Sequence, residues 1–439
     1  MKKIFYSLSA AVFLSAVVSC SSTSDTVADS FSARRELICG KRSGVVAIID
    51  SYSNYGDVFN NFYYLTGMAD KESVLVFDTK NGGKGYVFTD VENPTVGENL
   101  EVMELSKLNQ FIAELSKSST FALSSMRADE FKSSRLSNIE NVVSLDSLIF
   151  DMRVIKDSVE IAYLRHAAKA TGLGISNMMK QIKIGDTEKE MKRLMLEGFS
   201  AAGCDSISFE QAAAGENSTS VHAGVTDYKL ADGDMTVVDI GAVSDRYTAD
   251  ISRSFPANGK FTEAQKEIYS IVLYAMEEGA KLIKPGNVFG NTQKYSEELM
   301  IDELAKLGLI TDKDSEWQRK FYIRHGFSHH IGLDIHDIWS WYVTSQPKEN
   351  LKYKSGMVVT YEPGLYFPSN DMKELSEKMK GKVDAKELAA FIKKVEPIYN
   401  KYRGIGVRIE NDYLITENGN ELITADNPTS IAEIEMLMQ

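Results

Sequence analysis

Two aspartates, Asp239 and Asp250, stand out in the stretch Met235–Pro256, MTVVDIGAVSDRYTADISRSFP. Thr236–Ile240 and Tyr247–Ile251 read as apolar, β-branched strands around a polar turn at Ser244-Asp245. A turn centred between those two residues sets Asp239 directly opposite Asp250, with Cβ atoms about 4.5–5.5 Å apart. Carboxylates that close repel unless a cation lies between them. In another register the same residues would be two solvated hairpin charges, so other residues must decide.

Four of the chain's six histidines, His325, His329, His330 and His336, lie within Arg324–Asp337. Gly326 and the lack of Glu after His325 argue against the helical zinc-protease arrangement, and extended chain puts positions 325, 327 and 329 on one face. Such a concentration in a His-poor chain points to a site, whereas one histidine alone would be unremarkable in a core. Glu362 ends an apolar strand, Met357–Tyr361, just before Pro363-Gly364. In Gly406-Val407-Arg408-Ile409-Glu410, period-two geometry puts Arg408 and Glu410 on one face of one strand. Taken singly, each carboxylate also reads as a strand-end charge facing water, and Glu410 as an ion-pair partner of Arg408.

Together, DIGAVSDRYTADISRSFP, HGFSHHIGLDIHD, EPGLYF and GVRIENDYLIT, in that order, resemble the pita-bread metallopeptidases, the family of methionine aminopeptidase, aminopeptidase P and prolidase. The resemblance covers about Arg153 to Thr424. SRSFPANGKFTEAQKEIY and Phe62-Tyr63-Tyr64-Leu65-Thr66-Gly67 are similar to the aminopeptidase P and prolidase branch. It implies Asp239 on one metal, Asp250 and Glu410 bridging two, and His329 and Glu362 completing the shell. It also implies that His222 lies over the substrate, that His325 and His336 bind substrate and steady the tetrahedral intermediate, and that Arg408 orients the ligands.

Four carboxylates and one imidazole make a hard, oxygen-rich site suited to Mn(II), with Zn(II) or Co(II) as alternatives. Two divalent ions about 3.5–4 Å apart activate water and polarise a carbonyl. Glu362 would take the water's proton and pass it to the leaving nitrogen, which in an Xaa-Pro bond belongs to a tertiary amide. The expected activity is removal of an N-terminal residue that precedes proline. A prolidase restricted to Xaa-Pro dipeptides shares every ligand. A metal-free creatinase-like enzyme or a non-catalytic peptide-binding module is opposed by the five intact ligand positions.

The elements that must position these residues fall into two folded parts. At 439 residues and 43% hydrophobic, the chain can bury a large core. Its net charge of −13 argues against a nucleic-acid partner. Residues 1–19 read as a signal peptide, with Met1-Lys2-Lys3 before an apolar run too short to span a bilayer. Val17-Val18-Ser19-Cys20 resembles a bacterial lipobox, with valines where Leu and a smaller residue are usual. Cys20 is then lipidated, residues 20–33 are a flexible tether, and the enzyme is anchored to a bacterial membrane, facing the periplasm or exterior. Cys39 and Cys204 are too few for a disulfide framework.

Residues 34–152 alternate strand-like and helical runs, as a small α/β domain does. The resemblance implies that residues 153–425 form the α+β pita-bread domain, with 426–439 a C-terminal tail. In this second domain Asp157-Ser158-Val159-Glu160 caps a long helix, and Lys183-Ile184-Gly185-Asp186-Thr187 is echoed by Lys284-Pro285-Gly286-Asn287-Val288. Each break joins two helices ahead of acidic β-rich sequence, which points to an internal duplication with pseudo-two-fold symmetry. Between Tyr366 and Gly404 the chain departs from the family's short loop. Asp371–Lys394 reads as a helical hairpin turning at Gly381–Asp384, packed at the cleft rim and limiting substrate length. A homodimer is expected.

Overall fold

The computed structural model describes residues 23–53, 59–116, 119–204 and 206–439. The signal-peptide reading and Cys20 therefore lie outside the described residues. None of the described helices is long and apolar enough to cross a membrane. The chain divides into two units, Met1–Asp146 and Ser147–Gln439.

The first unit runs α1 (Thr23–Lys41), β1 (Val45–Asp50), α2 (Asn60–Thr66), β2 (Val74–Asp78), β3 (Gly85–Phe88), β4 (Leu100–Met103), α3 (Leu108–Leu115), β5 (Thr120–Ser124), α4 (Ala128–Arg135) and β6 (Val142–Ser144). Its sheet has the order β4-β3-β2-β1-β5-β6. Val46, Ile48, Val74, Val76, Phe121 and Leu123, alternating along their strands, build one core. The stretch expected to be a flexible tether is helical from Thr23, and its C-terminal part is docked. Phe31, Arg34 and Arg35 are buried. The Arg35 guanidinium donates to Gly83 O (2.8 Å) and Leu65 O (2.6 Å), so release of this helix would strand buried carbonyls.

The second unit begins within α5 (Asp146–Val154), a few residues ahead of the expected boundary, and continues through α6 (Ser158–Gln181), α7 (Glu188–Ala201), β7 (Ile207–Ala214), β8 (Met235–Ser244), β9 (Tyr247–Thr248), β10 (Ile251–Pro256), α8 (Glu263–Ala280), α9 (Phe289–Lys306), α10 (Glu316–Tyr322) and α11 (Trp339–Thr344). It closes with β11 (Val358–Tyr361), β12 (Gly364–Phe367), α12 (Asp371–Lys378), α13 (Ala385–Tyr399), β13 (Ile405–Arg408), β14 (Asn411–Ile415), β15 (Asn420–Leu422) and α14 (Ile431–Leu437). The C-terminal tail is thus an ordered element, capped by Ser430 and anchored by fully buried Ile434.

The expected capping box of Asp157 with Glu160 forms, and Thr262 forms a second with Gln265 at the start of α8. The five-residue echo is a structural repeat. Gly185 and Gly286 both take positive φ (94° and 89°), as such helix-to-helix breaks require. Gly185 N donates to Leu230 O and Glu188 N to Tyr228 O, and Gly286 N donates to Tyr353 O and Phe289 N to Leu351 O. The bridges Thr187–Lys229 and Val288–Lys352 complete the match. The α6–α7 and α8–α9 pairs thereby brace two sheets, β10-β8-β7 and β11-β14-β15.

The 371–394 insertion is a helical hairpin, with Asp384 capping α13 and Gly381 at φ 73° in the turn. Its second helix runs on to Tyr399. Leu375, Leu388 and Phe391 are buried, and Phe391 meets Trp317 edge-on at 4.8 Å.

Candidate metal centre and active site

The turn between β8 and β9 runs through Asp245 and Arg246, both at positive φ (46° and 69°), the geometry a two-residue hairpin favours. It lies one residue later than expected, and Asp239 therefore pairs with Ser252, not with Asp250. A shift of two in partner preserves the face, so Asp250 still lies diagonal to Asp239. The ladder lapses at Ala249–Asp250, between β9 and β10. There a Cβ on Gly241 would fall 1.8 Å from Ala249 O, so only glycine lets the backbones approach.

Glu410 occupies the matching break in the other half. Arg408 ends β13 and Asn411 starts β14, which belong to different sheets, so Arg408 and Glu410 do not share one continuous strand. The chain changes partners there, with Ile409 N donating to Pro363 O and Glu410 N to Ser252 O (3.1 Å). Ser252, opposite Asp239, joins the halves: its Oγ accepts from Arg408 Nε (2.8 Å) and donates to Glu410 Oε2 (2.7 Å). The Arg408 ion pair is with Asp239 (2.6 Å).

Glu362 follows β11, its N–H donating to Phe327 O. His329 Nδ1 donates to His330 O (3.0 Å), which turns Nε2 toward Asp250 (3.5 Å) and Glu362 (3.6 Å). Asp250, His329 and Glu410 each present one ligand atom within 4.8 Å of the others. Asp239 Oδ1, Asp250 Oδ1 and Glu410 Oε1 are buried with no hydrogen-bond partner. Orphaned carboxylate oxygens are costly in an interior, and several converging beside an imidazole nitrogen have the donor chemistry of a divalent-cation site. All five expected ligands lie in or beside this cluster.

The electrostatics say the same. Burial, then the neighbouring carboxylates, drives the Asp250 and Glu410 carboxyls far above their ordinary values. Burial pushes Glu362 up to about 8. Asp239 differs: burial would raise it, but Arg408 and nearby hydrogen bonds hold it low. Burial pushes His325 and His329 down to about 4, so both are neutral imidazoles at neutral pH.

The expected catalytic histidines surround the cluster. His325 lies 3.6 Å from Glu362 through Nδ1, and its Nε2 accepts from the Tyr366 hydroxyl (2.9 Å), which itself accepts from Arg408 Nη1 (2.9 Å). The His336 ring is 4.3 Å from that of His329. His222 is exposed beside Phe209 and close enough to His325 and His336 to help hold both in the neutral form. Arg408 Nη1 also holds Val221 O, one residue before His222 (2.9 Å). His330 turns away and is fully buried against Trp339 and Tyr342, as core.

Sequence reasoning missed several groups. Buried Asp412 accepts from Asp250 N (3.1 Å), and burial pushes its carboxyl up to about 8. It stands inside GVRIENDYLIT, two residues after Glu410, which is a signal the motif itself offered. The His336 loop is tied down by Asp337, whose buried carboxylate pairs with Lys156 (2.7 Å) and Arg153. Ile338 follows at φ 52°, strained for a β-branched residue. No spacing in the sequence links 153 and 156 to 337.

The model of metallopeptidase family M24 matches residues 162–417, more than half of the chain, and the chain belongs to that family. It is 29% identical over 404 residues to the Xaa-Pro aminopeptidase of Haemophilus influenzae, covering 86% of this chain and 87% of that protein. It is 34% identical over 298 residues to the Xaa-Pro aminopeptidase of Escherichia coli, covering 66% of this chain and 60% of that protein. Among solved structures, proline aminopeptidase P II from Yersinia pestis superposes with a TM-score of 0.79 at 25% identity, covering 94% of this chain and 99% of the other.

Proposed function

We propose that this chain is a dinuclear-metal exopeptidase that hydrolyses the Xaa-Pro bond at the N-terminus of peptides. The observation that carries the reading is the convergence of unpartnered buried oxygens of Asp239, Asp250 and Glu410 beside His329 Nε2 and Glu362. Asp239, Asp250, His329, Glu362 and Glu410 would hold two divalent ions, Mn(II) by the hardness of the set. Bound there, the ions supply an acidified water and polarise the scissile carbonyl.

The chain's own groups do the rest. Glu362, whose carboxyl has one oxygen toward His329 and the other toward His325, accepts the water's proton and returns it to the proline nitrogen. That nitrogen belongs to a tertiary amide and carries no proton of its own, so expulsion requires this delivery. His222 lies over the peptide, and His325 and His336 bind it around the scissile bond and steady the tetrahedral intermediate on which charge develops. Arg408 orients Asp239 directly and Glu410 through Ser252.

The purified chain without residues 1–22, supplied with Mn(II), tests this on a ladder of Xaa-Pro peptides. Release of the first residue from Xaa-Pro-Xaa is expected, and cleavage confined to dipeptides would make the enzyme a prolidase. No cleavage, with two metal equivalents bound, would refute the peptidase reading.

The proposal extends to location and assembly. Residues 1–19 act as a signal peptide, and lipidated Cys20 anchors a homodimer in the cell envelope, facing the periplasm or exterior. The basic start, the short apolar run and Ser19-Cys20 support the anchor. Cys20→Ser should move the protein from the detergent phase to the aqueous phase, and unchanged partitioning would remove the anchor.

A further inference from the structure

A groove of about 980 Å³ opens beside the histidine motif, bounded by His325 and Gly326, by α10 and by the inserted helix α12. His325 belongs both to this groove and to the cluster, since its Nδ1 lies 3.6 Å from Glu362 Oε2. An enzyme that removes one N-terminal residue leaves the rest of its substrate on the far side of the scissile bond. That remainder needs an open trough leading from the site. The insertion, expected to pack at the cleft rim and limit substrate length, forms one wall of this groove.

In a chain of net charge −13, the groove presents Arg319, Lys320, Arg324, Lys378 and Lys382. Against these stand Glu297, Glu316 and Asp371. Asp371 is shared between Arg324 and Lys378 (2.8 Å), Glu316 is taken by Lys320, Arg319 pairs with Glu298 (2.8 Å) and Lys378 also with Glu374 (2.9 Å), so four of the five cations already have counter-charges. Lys382, exposed in the turn between α12 and α13, forms no ion pair among the described residues. Trp317, Phe321 and Leu375 provide apolar surface between the charges.

We propose that this groove is an extended subsite for the peptide segment beyond the proline, and that it selects segments with acidic side chains, with Lys382 as the principal specificity residue. The inference rests on the Xaa-Pro exopeptidase reading. A carboxylate of such a segment meets Lys382, the groove's cation without an ion pair among the described residues, and its backbone lies across Trp317 and Phe321. The occupant is therefore an acidic peptide several residues longer than a dipeptide.

The test compares kcat/KM for Ala-Pro-Gly-Gly-Asp-Asp and Ala-Pro-Gly-Gly-Lys-Lys, each C-terminally amidated, with Ala-Pro-Gly as reference. Exposed charge pairs of this kind predict a preference for the acidic peptide of about threefold to fivefold, carried by KM and lost in about 0.5 M salt. Lys382→Glu should abolish or reverse that preference and leave cleavage of Ala-Pro-Gly unchanged. Equal kcat/KM for the two hexapeptides overturns the assignment to acidic side chains. A preference untouched by Lys382→Glu removes Lys382 from its role. Failure of the wild type to cleave Ala-Pro-Gly would instead refute the exopeptidase reading itself.

Discussion

Arg408→Met removes the cation that is ion-paired within the carboxylate cluster, and its effect should depend on the metals. Arg408 is 1% exposed and pairs with Asp239 at 2.6 Å, while also donating to Ser252 Oγ, Val221 O and the Tyr366 hydroxyl. Breaking a buried ion pair from one side costs about 3–5 kcal/mol, because the other charge stays buried without compensation. In metal-free protein that full loss is expected, since Asp250, Glu362 and Glu410 crowd the same space with negative charge or its protonated equivalent. At about 2 °C per kcal/mol for a unit of this size, Tm should fall by about 6–10 °C. With metals bound, their charge neutralises Asp239, and only the lost hydrogen bonds remain, about 1–2 kcal/mol or about 2–4 °C. Circular dichroism melts of EDTA-stripped and Mn(II)-loaded wild type and variant at one pH measure both differences. Equal drops with and without metal would refute the argument that Arg408 acts as charge compensation.

Asp250→Ala and Glu410→Ala should each abolish activity and lower metal content, and elemental analysis showing normal loading with activity retained would remove their bridging role. His336→Ala should keep the metals and lose turnover, whereas His329→Ala should lose both; the same metal loss in each would exchange the two assignments. Asp337→Asn should lower stability by about 3–5 kcal/mol, because Arg153 and Lys156 are buried around it, and should cut kcat with the metals retained; chemical denaturation and metal analysis read the two effects. Metal-free protein should lose stability as pH rises. Asp250 and Glu410 are raised far above their unfolded values and Glu362 and Asp412 to about 8, so the folded state binds more protons than the unfolded state from the ordinary carboxyl range up to about pH 8. Urea midpoints of stripped protein at pH 6 and 8.5 check this, and a higher midpoint at pH 8.5 would contradict it.

Much of the site was legible from local chemistry. The ligand types, the strand end that carries Glu362, the capping residue Asp157 and the glycines that break the helix pairs are short-range features, and each forms as expected. The hairpin insertion was legible for the same reason: an amphipathic stripe and a turn at Gly381–Asp384 act within a few residues. The register of the Asp239 hairpin was not, because a turn at Ser244-Asp245 and one at Asp245-Arg246 differ by a single residue. Both keep Asp239 and Asp250 on one face, so the apolar pattern cannot separate them.

By itself, then, the sequence determined which residues could ligate metal and the helices and strands that carry them. Only the tertiary structure decided their partners. It gave Arg408 to Asp239 instead of Glu410, set Ser252 between the two halves, and brought Arg153 and Lys156 onto Asp337. Those contacts join positions far apart in the chain. They are chosen by which buried charges find a counter-charge once two sheets meet, and no periodicity records that choice.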